Sequence, residues 1–407
     1  MSEIYYPEND AHIGELITWA VAEDASLSIV GRNTKRTLGR PVQADRVLDL
    51  SKLSGITLYE PEELILQAQA GTPIAEIEAA LAEKAQMLAF EPPDIGPLLG
   101  TEPNAGSIGG ALACNLSGPR RLKSGAARDH FLGASAYSGR GELFKSGGRV
   151  VKNVTGYDLC KVLAGSYGTL GVMIDVTIKV LPAPNKTRTV LVFGLSDKDG
   201  LRAMTQSLMS ALEISGAAHL PASIAQNSTV EHVKQNGEAV TALRVEGPVQ
   251  STDECCAALR KILSPFGRTE ELHTRNSKIL WKELGNVRPF CGEGRVVWRI
   301  SVPPQSGPLV GELIREQEGS DYFYDWGGGL VWAAMPAEND GGGTIVRRAV
   351  AHAGGGHATL FRAPSAIREN VAVFQPQEPA LAALNNRIKA AFDPQNVLNP
   401  GRTSASP

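Results

Sequence analysis

Between residues 92 and 182 glycine recurs at Gly106, Gly109, Gly110, Gly118, Gly125, Gly147, Gly148, Gly156, Gly165, Gly168 and Gly171, with apolar β-forming residues between them. The run is therefore not low-complexity. Where side chains are removed but strands remain, backbone comes close to something, and its N–H groups are free to donate. A ligand with a long polar spine and a flat aromatic head would use such a surface. The pattern points to a nucleotide cofactor.

The chain of 407 residues is long enough for two or three domains. Lys+Arg of 40 against Asp+Glu of 43 gives a net charge of -3, which argues against a general nucleic-acid binder. No apolar run approaches the ~18–20 residues needed to span a bilayer. The opening MSEIYYPEND lacks the basic-then-apolar order of a signal peptide. A cytoplasmic location is expected, with docking on the inner membrane through partners left open. The cysteines Cys114, Cys160, Cys255, Cys256 and Cys291 have no C-x-x-C spacing, so no metal site or iron–sulfur cluster is expected. Reduced thiols are the simplest reading. Any electrons the protein takes up must leave by another carrier.

The first stretch has the texture of an α/β unit. Ile13, Leu16, Ile17, Ala20 and Val21 recur at helical spacing after Asp10, a plausible N-cap. A short strand over 26–30 follows. Thr72 and Pro73 read as the cap and first position of another helix. Residues 172–181 read as a strand closed by Pro182 and Pro184. Beyond it, strands over 190–195, 240–246, 296–302 and 330–334 alternate with helices, one of them expected over 200–215. The spacing predicts a last helix over 379–392, and no repeat with a period of 20–50 residues is visible.

Three motifs carry chemistry. In 28–41 a strand breaks into Gly31-Arg32-Asn33-Thr34-Lys35, which can present successive N–H groups to a phosphate. Asn33 is an acceptable left-handed residue. Alone, this is as well read as an ordinary β-turn, being neither a dinucleotide fingerprint nor a P-loop. The second motif, Gly106-Ser107-Ile108-Gly109-Gly110 with Cys114-Asn115-Leu116-Ser117-Gly118, could equally be a tight crossover. The third joins Lys152-Asn153-Val154-Thr155-Gly156-Tyr157-Asp158-Leu159 to Gly165-Ser166-Tyr167-Gly168-Thr169-Leu170-Gly171. Taken jointly, the three leave the bland reading little room.

In this order the motifs resemble the FAD-binding domain of the vanillyl-alcohol oxidase superfamily, the fold of p-cresol methylhydroxylase. KNVTGYDL, GSYGTLGV and the closing FDPQNVLNPGR resemble its D-lactate and glycolate dehydrogenase branch. With GRNTK and AHAGGGHATLFRAP added, the chain is similar to the FAD-binding subunits of bacterial glycolate oxidase. The resemblance is strong over 1–183 and the last 20 residues and loose between. It implies an α+β protein: a two-subdomain FAD-binding domain over 1–184, an α+β cap over 185–380, and a segment over 381–407 returning to the FAD domain.

The resemblance also implies site residues. Gly31, Arg32, Asn33, Thr34, Lys35 and Gly39 match the loop around the FAD pyrophosphate. Pro93, Asp94, Gly106, Ser107, Gly109, Gly110, Asn115 and Gly118 match the loop along pyrophosphate, ribityl chain and flavin edge. Gly168, Gly171, Val172 and Ile174 fall where relatives hold the adenine end or ribityl chain, and Asn399 where an asparagine returns near the isoalloxazine ring. Lys152 is a candidate for the flavin or an anionic substrate, or else an ion-pair partner of Asp158. No histidine stands in 28–41 or 92–118, so FAD is expected to be held noncovalently.

One departure bears on catalysis. Catalytic relatives carry His-x-Gly-Asp-Gly-Asn-x-His, whereas this chain has His352-Ala353-Gly354-Gly355-Gly356-His357. Oxidising a 2-hydroxy acid needs a base at the hydroxyl and a cation at the carboxylate. His357 and Arg362 could be remnants of that site. The implied function is an FAD-binding subunit that oxidises glycolate, or a similar 2-hydroxy acid, alongside a second flavin subunit and an iron–sulfur subunit. A non-catalytic flavin-binding assembly or electron-relay subunit, and a self-sufficient FAD-dependent dehydrogenase, are the alternatives.

Overall fold

Asn9, rather than Asp10, starts the first helix of the computed structural model: its side chain accepts the His12 N–H of the helix Asp10–Ala22. The structure describes residues 3–148, 156–235 and 237–404. Ile13, Ile17 and Ala20 lie on one face of that helix, in a core shared with Leu27, Leu48, Val172 and Leu398. The helix belongs with a parallel three-stranded sheet in which Arg46–Asp49 lies between Glu3–Tyr5 and Leu27–Val30. An antiparallel five-stranded sheet follows, in the order Ile56–Glu60, Ile65–Gln69, Val172–Lys179, Phe131–Tyr137, Leu143–Gly147.

These two sheets form one of two units. It is assembled from Met1–Leu116, Ala126–Ala183 and Pro376–Pro407. The last stretch is fastened to the first: Leu27 N–H donates to the Val397 carbonyl at 2.8 Å and Asn399 N–H to the Leu27 carbonyl at 2.8 Å. Asp393, fully buried, accepts the N–H groups of Val397 and Leu398. The Lys389 ammonium donates to Asp393, to the Thr169 carbonyl at 2.8 Å and to the Leu398 carbonyl at 3.1 Å.

The second unit comprises Ser117–Gly125 and Pro184–Gln375. Its antiparallel eight-stranded sheet runs Thr269–Leu272, Lys186–Phe193, Val240–Gly247, Ile214–Leu220, Asp321–Asp325, Leu330–Met335, Val296–Ser301, His357–Arg362. Chain order shows a duplication. Strand, helix, strand, strand, helix, strand occurs over 186–272, with helices Asp197–Leu208 and Val249–Leu263, and again over 296–362, with helices Gly307–Arg315 and Gly343–His352. Each half is a ferredoxin-like βαββαβ motif, and they join edge to edge where His219 pairs with Tyr324. The repeat is longer than the 20–50 residues searched in the sequence, which is why it escaped notice there.

The expected helix over 200–215 starts and ends earlier. Ser196 caps it by accepting the Asp199 N–H, and Ile214–Leu220 is a fully buried strand. Thr72 is not a cap either: the helix Ile74–Glu83 has no side-chain cap, and the Thr72 hydroxyl donates to the Gln69 carbonyl at 2.6 Å.

Candidate functional site

The strand Leu27–Val30 ends where side chains give way to backbone. Asn33 takes a left-handed φ of 58°, the conformation its short amide tolerates. The turn it makes forms one wall of a cleft. Gly31, Arg32, Asn33, Thr34, Lys35 and Arg36 line that wall; Ser107, Gly109, Gly110 and Cys114 line a second; Tyr167, Gly168, Gly171 and Met173 a third; and Arg402 reaches it from the C-terminal segment. Four lining side chains are basic, Arg32, Lys35, Arg36 and Arg402, and none is a carboxylate.

The glycines are needed for contact. A Cβ on Gly31 would collide with the Ser107 hydroxyl, and one on Gly109 would stand 2.7 Å from the Ala70 carbonyl oxygen. Ser107 caps the short helix Ile108–Ala113 by accepting the Gly110 N–H at 3.3 Å. The Lys35 ammonium lies against glycine backbone, 3.2 Å from where a Gly106 Cβ would be. Its hydrogen bond to the Thr34 hydroxyl is long, at 3.4 Å. Burial lowers the Lys35 pKa, against the smaller opposing pull of Cys114 and Asp94. An anion in the cleft would reverse that penalty. A half-buried ammonium with a weak partner, glycine backbone nearby and a lining whose only charged side chains are basic fit the diphosphate of a dinucleotide.

Other expected cofactor residues stand behind the cleft. Asn399 donates its amide N–H to the Tyr167 carbonyl at 2.8 Å and accepts the Ile29 N–H at 2.9 Å. It fastens two walls together. A Cβ on Gly168 would meet that same amide at 2.8 Å. Gly39, at φ 88°, packs on Arg402. Val172 and Ile174 turn their side chains into the core, while Met173 between them lines the cleft. Pro93 is buried, and Asp94 accepts the Asn104 N–H at 2.7 Å, shaping its own loop. The Asn115 amide oxygen accepts the Arg128 N–H. Gly118 belongs to the second unit, where its carbonyl accepts the Trp326 indole N–H at 3.1 Å. Lys152 lies outside the described residues, and Asp158 is 3.5 Å from Lys161. Reading the sequence missed Arg402, although its place in the NPGR ending was a signal.

The second unit presents another cluster. Strand alternation sends Trp298, Ile300, Ala358 and Leu360 into the core under the helices, and Arg299, Trp332, Thr359 and Phe361 to the opposite face. There the Arg299 guanidinium lies 4.9 Å from the Trp326 ring centroid and that of Arg121 4.2 Å from it. Partial burial and the positive charges of Arg299 and Arg121 lower the His357 pKa, favouring the neutral ring. Arg362 does not join them. Its guanidinium donates to the carbonyls of Arg295, at 3.0 and 2.8 Å, and Phe290, at 2.6 Å, and so holds a loop. His352, at the end of its helix, bonds the Arg348 carbonyl. No group of three metal-ligating side chains occurs among the described residues.

Known proteins identify the family and the cofactor. A family described as FAD binding domain matches residues 2–147. The chain is 34% identical to the glycolate oxidase subunit GlcE of Escherichia coli (strain K12), over 96% of each chain. It is 25% identical to the glycolate oxidase subunit GlcD of Bacillus subtilis (strain 168), over 98% of this chain and 88% of that one. The fold matches substrate-bound p-cresol methylhydroxylase at a TM-score of 0.74 and 15% identity, covering 99% of this chain and 88% of that one. The chain has the fold of p-cresol methylhydroxylase and belongs to the family of the glycolate oxidase subunit GlcE, with FAD as its cofactor.

Proposed function

We propose that this chain is the FAD-carrying subunit of a cytoplasmic complex that oxidises glycolate, or a 2-hydroxy acid like it, to the corresponding 2-oxo acid. A second flavin subunit and an iron–sulfur subunit would be its partners. The likeness to GlcE along 96% of both chains carries the reading. The cysteine spacing supports it, since electrons taken up here have no cluster within this chain to leave by.

In such a reaction the substrate loses a hydride from its α-carbon and a proton from its hydroxyl. Bound FAD supplies the two-electron acceptor for the hydride. Lys35, Arg32 and the glycine walls would hold the diphosphate. Arg299 and Arg121 would draw a carboxylate, and a neutral His357 beside them can take up a proton. Arg362, committed to backbone carbonyls, takes no part in that cluster. The departure of residues 352–357 from His-x-Gly-Asp-Gly-Asn-x-His favours a second reading, in which the chain binds flavin for assembly or electron relay and the chemistry occurs on the partner.

The test is purification of the chain alone and with both partners, following the flavin spectrum as glycolate is added. The solitary chain should oxidise little glycolate with artificial acceptors, and activity should appear with the partners. If the chemistry occurs on the partner, His357→Ala leaves most of that activity. Robust turnover by the solitary chain, abolished by His357→Ala, would instead establish a self-sufficient dehydrogenase. A flavin-loaded, assembled complex that glycolate does not reduce would overturn the substrate.

A further inference from the structure

Arg402 stands out among the buried cations. It is 6% exposed, yet it lines the FAD cleft. One guanidinium nitrogen donates to the carbonyls of Lys35, at 2.8 Å, and Leu38, at 3.2 Å, and so grips the phosphate-facing loop from behind. Its Nε is buried and has no hydrogen-bond partner. The backbone repeats the grip, with Arg40 N–H donating to the Arg402 carbonyl at 3.0 Å. Gly39 leaves room for it, since a Cβ there would lie 3.2 Å from the Arg402 Cγ. No carboxylate lines the cleft to neutralise it. A buried guanidinium with spare donor capacity, facing a cleft lined by other cations, is an incomplete site until an anion arrives.

We propose that Arg402 is a cofactor-binding residue: its guanidinium serves the FAD diphosphate together with Lys35, so that cofactor binding and docking of the C-terminal segment on the loop over 31–39 stabilise each other. A ligand that binds only the docked form strengthens docking by the same factor that docking strengthens its binding. The inference rests on FAD being the cofactor, and stands whether or not glycolate is the substrate.

The test uses the full-length apoprotein of Arg402→Gln and Arg402→Lys. The FAD dissociation constant should rise roughly tenfold to a hundredfold in Arg402→Gln, the range for losing a charge-assisted hydrogen bond, and less in Arg402→Lys. At saturating FAD, at least one phosphorus resonance of the bound cofactor should move in Arg402→Lys. An unchanged dissociation constant would overturn the proposal. So would a weakened one with both phosphorus resonances at their wild-type positions, because Arg402 would then act only through the loop. If neither variant folds, hydrogen exchange on the wild-type protein decides: FAD should slow exchange at the Arg40 and Arg402 amides, and no slowing rejects the coupling.

Discussion

At the scale of single residues, the cleft depends on what is missing. Gly109 sits where a side chain would press on the Ala70 backbone, and that neighbour is buried and cannot yield. Gly109→Val should abolish FAD binding and destabilise the first unit by roughly 3 kcal/mol or more, the upper range for overpacking. Gly294→Val is the proper control, because nothing lies within 4 Å of its Cβ position. Gly341 would be a poor control: its φ is 59° and a Cβ there would meet Val296 at 3.0 Å. Flavin absorbance per chain and the apoprotein melting temperature check both variants, and equal FAD content in Gly109→Val and the parent would show the second wall to be misplaced. Asn33 was legible as a left-handed residue because an isolated asparagine in a glycine turn has few other uses. The bonds made by Asn399 and Arg362 were not legible, since their partners, Ile29, Tyr167, Phe290 and Arg295, lie 67 to 370 positions away.

Among elements, the strand Val240–Gly247 carries a buried carboxylate held by two arginines. Glu246 accepts two hydrogen bonds from Arg120, at 3.0 Å each, and lies 3.4 Å from Arg244. Burial alone would raise its carboxyl pKa, but Arg244 and Arg120 together bring it down to about 2. A folded-state pKa below the unfolded one contributes stability that is full above the unfolded value and is lost as pH falls through the folded value. The second unit should therefore weaken from about pH 4.5 down to about pH 2, by on the order of 3 kcal/mol. Near-ultraviolet circular dichroism across that range should show a transition whose Glu246 component disappears in Glu246→Gln; an identical acid profile in the two proteins would remove Glu246 from the explanation. The sequence yielded the strands here through their β-branched runs and the last helix through its spacing. It misplaced the helix Asp197–Leu208, because Leu212 continued the apolar spacing while the capping hydroxyl of Ser196 set the true start. Pairing order and the duplicated motif were invisible, being fixed by contacts far apart in the chain.

For the whole molecule, the placing of the histidines leads us to expect noncovalent FAD. His12 and His130 are the histidines of the first unit, and neither lines the cleft. Acid or heat should therefore release all the flavin from the precipitated chain, one FAD per polypeptide; yellow colour retained in the pellet would disprove noncovalent binding. The cofactor region was readable because each of its three walls is a short glycine-bearing motif, within 31–36, 107–114 and 167–173. The division into units was less so: Ser117–Gly125 belongs with the second unit although it sits inside the first unit's sequence. The first unit is closed by residues near 400. A ribosome must thus translate the whole second unit before the flavin site has all its walls. A chain stalled at residue 375 would lack Asn399 and Arg402, and we expect it to hold flavin poorly. Flavin loading is in this sense a post-translational event, and colour reports that synthesis ran to the last wall.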